Sequence, residues 1–299
     1  MRLKSTPSRK AFLLVNIIFL SVTALICFLP FLHVLAISFS SKVAVSSGKV
    51  FLWPVDFTTS AYAFITRSSA FTLSLLVSIR RVLLGVSVNL TLIVMTAYPL
   101  SMNKNQFRGR TVIAWFFVLT ILFNGGLIPS YMIVRYTNIM DTLWALVLPG
   151  ALPVFSMLVV MNFMRGLPSE LSEAAYIDGA THIQTLVRII LPVSTPTLAT
   201  VTLFSFVGHW NSWFDGLIYM NSTNNYPLQS YLQTIIINPE AFFRTSYTIM
   251  DELRAYIEVV SARTSSAAQL FLATVPILMV YPFLQRYFTT GLVIGSVKG

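Results

Sequence analysis

The stretch EAAYIDGATHIQTLVRIILP, residues 173–192, is a comparatively polar segment within a strongly apolar sequence. Its first half stops at Asp178 and Gly179. Because glycine adopts left-handed backbone conformations at little cost, it is common where a helix ends. Thr181 and Gln184 have the three-residue spacing of a capping box, which favours the start of a second helix. The stretch therefore predicts a helix, a glycine turn and a second helix.

Both predicted helices have an apolar side. Ser169 is placed to cap the first helix. The apolar face of the first helix is predicted to consist of Leu171, Ala174 and Ala175. That of the second is predicted to consist of Ile183, Leu186, Val187 and Ile190. Pro192 lacks a backbone N–H and disfavours helical geometry at Leu191, so the second helix is predicted to end there.

Seven residues of this stretch carry a resemblance to a known family. They are Glu173, Ala174, Ala175, Gly179, Ile189, Leu191 and Pro192. In identity and spacing they resemble the EAA signature of ABC importer permeases. An ordinary amphipathic surface hairpin is the alternative, but it leaves the small residues unexplained.

The resemblance implies that the hairpin, residues 166–192, is cytoplasmic and docks on a separate ATPase subunit. The implied coupling residues are Glu170, Glu173, Ala174, Ala175, Asp178 and Gly179. The resemblance also implies a second ATPase contact at Lys298 in the C-terminal tail, for which a short surface anchor is the alternative.

Composition independently places the chain in a membrane. Of 299 residues, 56% are hydrophobic and 10% are charged, and the mean hydropathy is +0.75. Crossing the hydrocarbon requires about 20 mainly apolar residues. Six stretches meet this requirement, at 12–38, 82–102, 111–133, 143–164, 197–220 and 268–290. We therefore predict an all-α membrane protein with six transmembrane helices, forming a single membrane domain over 1–299.

Positive charge predicts the orientation. Basic residues precede the first span and fill the turn after the second, at Arg2, Lys4, Arg9, Lys10, Lys104, Arg108 and Arg110. Because basic residues favour the cytoplasmic side, both termini and the hairpin are predicted to be cytoplasmic. Arg80 and Arg81 work against this bias, since they are predicted at the outer end of span two. We expect the protein in the bacterial cytoplasmic (inner) membrane.

Two longer segments, 40–81 and 221–267, are predicted to be external. The first contains aromatic and turn residues, typical of a membrane-surface cap or a protein contact. The second contains a charged helix predicted near 249–261. Solvated surface is one interpretation of that charge; docking of an extracytoplasmic solute-binding protein is the one that the family resemblance implies.

The sequence GHWNSWFD, residues 208–215, is the predicted substrate path at the outer half of span five. On one continuous helix, His209 and Trp213 lie one turn apart, as do Asn211 and Asp215. Imidazole, amide and carboxylate groups bind sugar hydroxyls, and aromatic rings cover apolar sugar faces. The predicted path residues are His209, Trp210, Asn211, Trp213 and Asp215, with Asn89 and Asn124 as weaker candidates. Bonding between helices and an interfacial aromatic belt are the alternatives.

Some chemistry has no support in the sequence. No GxxxxGK loop followed by Ser or Thr is present, so ATP hydrolysis is expected on a separate subunit that holds ATP and magnesium. The single cysteine, Cys27, and the histidines at 33, 182 and 209 have no metal-site spacing. We therefore predict no enzyme activity, no cofactor, no metal and no nucleic-acid partner for this chain.

Further phrases extend the resemblance over most of the chain. FNGGLIPSYMIV at 123–134, GHWNSWFD and the terminal GLVIGSVKG are similar to carbohydrate importers of the maltose-permease type, in the branch of lipoprotein-associated and alginate importer permeases. The resemblance implies a type I ABC importer transmembrane domain that moves oligosaccharides by ATP-driven alternating access. It implies as partners a second homologous permease, two ATPase copies, a solute-binding protein and the oligosaccharide.

The sequence leaves alternatives open for both the charge of the substrate and the class of function. Arginines predicted to be external, at Arg67, Arg80, Arg81 and Arg244, favour an anionic, alginate-type saccharide by field focusing, although neutral sugars remain open. An ion-coupled secondary transporter and a membrane scaffold are the other classes. The first typically has buried acids and paired internal repeats, and neither is evident here.

Overall fold

The computed structural model describes residues 7–237 and 260–296, whose regular structure is entirely helical. The first elements are α1 (Pro7–Ser38), α2 (Lys42–Ser46), α3 (Ser60–Arg67), α4 (Ser69–Ser101), α5 (Arg110–Leu122), α6 (Leu127–Tyr136), α7 (Leu143–Val147) and a 3₁₀ turn (Leu148–Gly150). The next are α8 (Val154–Arg165), α9 (Glu170–Ile177), α10 (His182–Thr185), a π turn (Leu186–Ile190) and α11 (Leu191–Val193). The last are α12 (Thr195–Asn211), α13 (Phe214–Tyr219), a 3₁₀ turn (Thr223–Asn225), α14 (Leu228–Ile237) and α15 (Ala262–Ser296).

Six membrane spans are present in the described residues if each bent helix pair is one span. By length and composition, α1, α4 and the part of α15 at Ala262–Val280 can each cross a membrane alone. Three pairs pass the same test together: α5 with α6, Leu143–Gly150 with α8, and His182–Val193 with α12. The prediction of an all-α membrane protein with six spans is confirmed.

The second span begins earlier than predicted. Helix α4 has 33 residues, about 50 Å at 1.5 Å per residue, which exceeds the hydrocarbon thickness. The segment 40–81, which is predicted to be external, therefore includes the first part of this helix, from Ser69 onward, and its external location stays a prediction. Within that segment, the side chain of Arg81 is buried in the protein rather than open to solvent.

The third and fourth spans are broken where turn residues interrupt them. Helices α5 and α6 meet at an angle of 114°. In that break the Asn124 side-chain oxygen accepts a hydrogen bond of 2.8 Å from the Gly126 N–H, and Gly126 has a φ of +86°. The fourth span bends by 51° between Gly150 and α8, just before which Pro153 lies. These breaks free backbone groups that require partners at membrane depth.

The described residues group into two compact units. The first lies within Met1–Ser69 and Leu232–Val275. There Phe39 stacks between Phe57 and Tyr62, with ring centroids 5.3 and 4.7 Å away, and Tyr62 shares a 2.8 Å hydrogen bond with Ser38. In α1 the most apolar window has no buried residue, so its surface requires lipid or another protein.

The second unit lies within Ala70–Tyr231 and Pro276–Gly299 and contains the regions of functional interest. One apolar core of this unit joins α4, α8, the π turn and α12. The buried members are Ile93, Ala97, Tyr98, Leu100, Met157, Val160, Met161, Met164, Ile190 and Val201. Because lipid is as apolar as these side chains, van der Waals packing rather than removal from water fixes α4 against α8.

Some predictions lie outside the described residues. They concern Lys298, Arg244 and most of the charged helix at 249–261. The single domain over 1–299 and the cytoplasmic termini stay predictions.

Candidate functional site

The first helix of the hairpin ends through local hydrogen bonds. Gly179 has a φ of +78°, as the sequence predicts. The Ala180 N–H donates to the Ala175 carbonyl at 2.9 Å, and the Gly179 N–H donates to the Tyr176 carbonyl at 3.1 Å. These two bonds form a Schellman motif, which satisfies carbonyls that a helix end otherwise leaves free.

The second helix begins at the predicted capping box but does not end where expected. The Gln184 N–H donates to Thr181 Oγ1 at 3.3 Å, and the Gln184 side chain accepts from the Thr181 N–H at 2.8 Å. Leu191 is helical, with φ −63° and ψ −46°. The expectation that Pro192 ends the helix there is wrong. A π turn precedes the proline and places it in the first turn of α11, where its missing N–H costs little.

The surface of the hairpin is partly acidic and partly apolar. Glu170 and Glu173 lie in the first turn of α9, where carboxylates complement the helix dipole. The apolar side chains at the far end are open, with Ile177 86% exposed and Ile183 74% exposed. Large exposed apolar groups next to water indicate an interaction surface.

The remaining predictions for the hairpin concern its apolar faces and its helix caps. Of the two predicted apolar faces, only Ala175 and Ile190 are buried, whereas Leu171, Ala174, Ile183 and Val187 are exposed and Leu186 is half-buried. Ser169 holds the N-cap position of α9, but its side chain makes no capping hydrogen bond. Asp178 is the exposed C-cap residue of α9.

The base of the hairpin is tied to the end of α4. The Tyr176 hydroxyl lies 3.4 Å from the Tyr98 hydroxyl and 2.9 Å from His182 Nδ1. One side chain thus bridges α4 and both hairpin helices. A cavity of about 120 Å³ lies beside this bridge, and Glu173 is among its lining residues.

The second region is a polar cavity of about 590 Å³ between α4, the broken fourth span, α12 and α13. We call it the polar cavity. Its polar lining comprises Arg81, Asn89, Ser156, Ser205, His209, Ser212, Asp215 and Tyr219. Its apolar walls include Pro149, Pro153, Phe155 and Phe204. Hydroxyl, amide and imidazole groups beside flat apolar surfaces are suited to a sugar.

A buried ion pair closes one side of the polar cavity. Arg81 pairs with Asp215 through both guanidinium Nη atoms, and one of these bonds measures 3.1 Å. The two side chains are only 3% and 23% exposed. Arg81 also donates to the carbonyls of Ser212 at 3.2 Å and Leu146 at 3.5 Å. The pair therefore supplies partners for backbone at the α12–α13 break and at α7.

Asn89, further along α4 than Arg81, also supplies hydrogen bonds to the backbone of a helix break. With its amide nitrogen toward the carbonyls of Gly85 and Ala151, it donates hydrogen bonds of 2.9 and 3.2 Å. Its oxygen then accepts from Ser205 Oγ at 3.3 Å. Ala151 lies in the break of the fourth span, so Asn89 joins that break to α4 and α12.

His209 packs directly on the backbone of α4. A Cβ atom at Gly85 would lie 2.4 Å from His209 Nε2, which is closer than atoms can approach. Only a glycine at this position leaves room for the imidazole. Gly85 thereby fixes the position of one polar wall of the cavity.

The predicted path residues do not all meet in this cavity. Asn89, His209 and Asp215 line it. Trp210, Asn211, Trp213 and Asn124 are absent from its lining; Trp210 is buried against Phe206, and Asn124 belongs to the α5–α6 turn.

The single continuous helix expected over 208–215 is wrong. Helix α12 ends at Asn211, and Ser212 is extended. Asp215 accepts from Ser212 Oγ at 2.8 Å and from the Gly216 N–H at 2.9 Å, which starts α13.

The polar lining residues of the cavity that sequence reasoning missed are Arg81, Ser156, Ser205, Ser212 and Tyr219. A signal for Arg81 exists in the spacing of α4. Ser74, Ser78, Arg81, Gly85 and Asn89 recur every three or four residues and are all buried. A stripe of small and polar residues along an apolar helix indicates a packed face.

Comparison with known proteins gives close relatives. No family model matches the chain. The chain is 37% identical over 295 residues to the Protein LplC of Bacillus subtilis (strain 168), covering 99% of this chain and 97% of that protein. It is also 37% identical over 281 residues to the polygalacturonan/rhamnogalacturonan transport system permease protein YtcP of the same organism, covering 94% and 96%.

A solved structure is similar along nearly the whole chain. It is the crystal structure of a bacterial ABC transporter involved in the import of the acidic polysaccharide alginate. The TM-score is 0.86 at 30% identity, covering 96% of this chain and 99% of that one.

Proposed function

This chain belongs to the family of sugar ABC transporter permeases, and on that premise we propose that it is the permease subunit of a binding-protein-dependent oligosaccharide importer. The observation that carries the proposal is similarity over almost the full length, in both sequence and fold, to permeases of this kind. The same similarity favours ATP-driven import over an ion-coupled secondary transporter.

We propose an acidic oligosaccharide as the substrate. Two of the relatives named for a substrate, the polygalacturonan/rhamnogalacturonan permease and the alginate transporter, are named for acidic polysaccharides. The positive charge of Arg81 inside the polar cavity is balanced by Asp215. We therefore expect this cavity to bind sugar hydroxyls and to leave selection by charge to the binding protein or the second permease.

We propose that the hairpin docks on a separate ATPase subunit. Exposed Ile177 and Ile183 offer apolar area, and Glu170 and Glu173 beside them offer negative charge. No described residue forms an ion pair with either glutamate. An apolar patch with charged neighbours is the usual composition of a protein interface with a polar rim. The ATPase would hold ATP and magnesium.

The connection between hairpin and cavity is short. The second hairpin helix, His182–Val193, leads into α12 across an 81° bend, and α12 carries Ser205 and His209 in the cavity. The Tyr98–Tyr176–His182 bridge ties the hairpin to α4, which carries Arg81 and Asn89. Movement of the hairpin when the ATPases close would thus reach both polar walls, which is what alternating access requires.

Transport assays test the proposal. The chain would be reconstituted in liposomes with its partner permease, ATPase and binding protein, and uptake of labelled oligogalacturonate measured. We expect uptake that requires ATP and the loaded binding protein and that persists when ionophores collapse ion gradients. Uptake driven by an ion gradient without ATP would overturn the importer function.

A second assay addresses the cavity. His209→Ala is expected to lower the uptake rate because it removes a polar wall. Ser87→Ala on the exposed side of α4 is the control. Equal rates for the His209 variant and the unmodified protein would remove the cavity from the path.

A further inference from the structure

A further cavity, of about 240 Å³, lies between α5 and α8 near the end of the bundle that carries the hairpin. Its lining is Arg110, Thr111, Ala114, Trp115, Val118, Leu158, Met161 and Arg165. Arg165 also lines the cavity at the base of the hairpin. Two cations therefore stand at one end of an otherwise apolar groove, with no acidic residue in its lining.

The two arginines have hydrogen-bonding capacity left over. Arg165 Nη2 donates to the Leu100 carbonyl at 2.8 Å, and Arg110 Nη1 donates to the Met102 carbonyl. These bonds cap the end of α4, where positive charge is favourable. A guanidinium has five N–H donors. Arg110 Nε is buried without a hydrogen-bond partner, and neither arginine forms an ion pair with a described residue.

We propose that this groove binds the headgroup of an anionic phospholipid. The phosphate would accept hydrogen bonds from the guanidinium groups of Arg110 and Arg165 and from the Thr111 hydroxyl, and its negative charge would offset the repulsion between the two arginines. An acyl chain would follow the apolar walls at Val118 and Leu158. The site differs from the transport path and from the ATPase surface.

The surroundings distinguish a lipid from a free anion. Helix α5 has no buried residue, and large apolar side chains cover it. Trp115 is 62% exposed, and an exposed tryptophan at the end of a span is typical of the lipid headgroup region. Basic pockets between transmembrane helices are known to recognise anionic headgroups. A soluble phosphate gains nothing from the apolar walls.

Native mass spectrometry of the purified full chain tests the site. The chain would be incubated with palmitoyl-oleoyl phosphatidylglycerol or with the matching phosphatidylcholine, and the bound fraction compared. We expect retention of phosphatidylglycerol only. Arg110→Gln and Arg165→Gln are each expected to weaken it about fivefold, the effect of one surface charge. Arg108→Gln, an exposed arginine two residues from Arg110 and outside the cavity, should leave binding unchanged.

One further variant and a competitor complete the test. Ala114→Phe fills the groove without altering either arginine, so a loss of phosphatidylglycerol in this variant supports the site even if an arginine variant misfolds. Equal retention of the two lipids, or unchanged retention in Ala114→Phe, would overturn the proposal. Displacement of the lipid by inorganic phosphate would also overturn it, because the groove would then be a site for free anions.

Discussion

The hairpin and the polar cavity both contain polar residues in an apolar chain. The hydrogen-bond partners of these residues are close in the sequence in the hairpin and far apart in the sequence in the cavity. In the hairpin, the bonds of the Schellman motif and the capping box join residues three to five positions apart. In the cavity, Arg81 and Asp215 are 134 positions apart, and Asn89 and Ser205 are 116 apart. Loss of a local hydrogen bond affects only one helix end. Loss of a long-range hydrogen bond leaves a buried group without a partner and loosens several helices.

The comparison predicts that removing one member of the buried ion pair has the largest effect. Asp215→Asn leaves the Arg81 charge without its partner and should lower the free energy of unfolding by about 3 kcal/mol. Thermal unfolding in detergent measures this. Asp178→Asn, at an exposed position, is the matched control and should change it by about 0.5 kcal/mol or less.

A double variant sharpens that result. Arg81→Met with Asp215→Leu removes both charges and should recover most of the lost stability. Equal destabilisation in the double and single variants would mean that shape, and not the unpaired charge, determines the cost.

The next effect is expected at the contact of α4 with His209. Gly85→Ala places a methyl group where the imidazole lies, so His209 must move, at a cost of about 1–3 kcal/mol. Gly208→Ala lies on a helix with open space around it and should be neutral or slightly stabilising. If both variants have the same melting temperature, the close packing assigned to Gly85 is wrong.

A smaller, local effect is expected in the hairpin. Gly179→Ala forces a Cβ into the left-handed region, at a cost of about 1 kcal/mol. Asn tolerates this region better, so Gly179→Asn should cost less. No atom crowds the position, so the difference between the variants isolates backbone strain. The readouts are melting temperature and protease sensitivity of the hairpin. An alanine variant as stable as the asparagine variant would contradict the turn geometry.

The smallest expected effect is a pH dependence at Asp141. Burial alone raises the pKa of this carboxyl, but hydrogen bonds from Asn225, Ser222 and Asn221 outweigh it and hold the pKa below its ordinary value. Because the folded state favours the carboxylate, this stabilisation is present above the unfolded pKa and is lost as pH falls through the folded pKa. On acidification, the melting temperature of the Asp141→Asn variant should therefore fall slightly less than that of the unmodified protein. An identical acid profile for both proteins would contradict this role.

The same difference in distance explains what the sequence could predict. The Gly179 turn and the Thr181 capping box were predicted because their residues are neighbours whose conformational preferences decide the structure. The six spans followed from apolar length. The Arg81–Asp215 pair was missed because no local pattern indicates which distant group meets a buried arginine. The break at Ser212 was missed for the same reason, since its stabilising partner comes from α4.

The sequence also could not predict what covers the apolar faces of the hairpin. The sequence predicted an apolar face on each hairpin helix, with Ile183 and Val187 on the second. In the structure these side chains are open. Periodicity identifies an apolar face but not the element that covers it, and a separate subunit leaves the same pattern as the protein's own core.

The proposed coupling role of the hairpin is tested most directly by co-purification of the ATPase with this chain. Ile177→Asp should abolish ATPase association while the chain still inserts in the membrane, because Ile177 is 86% exposed and contributes no core packing. Glu173→Lys should weaken it through reversed charge. Val43→Asp, at a residue 75% exposed on α2, is the control and should retain the ATPase. Full retention of the ATPase by the Ile177 variant would contradict the docking role of the hairpin.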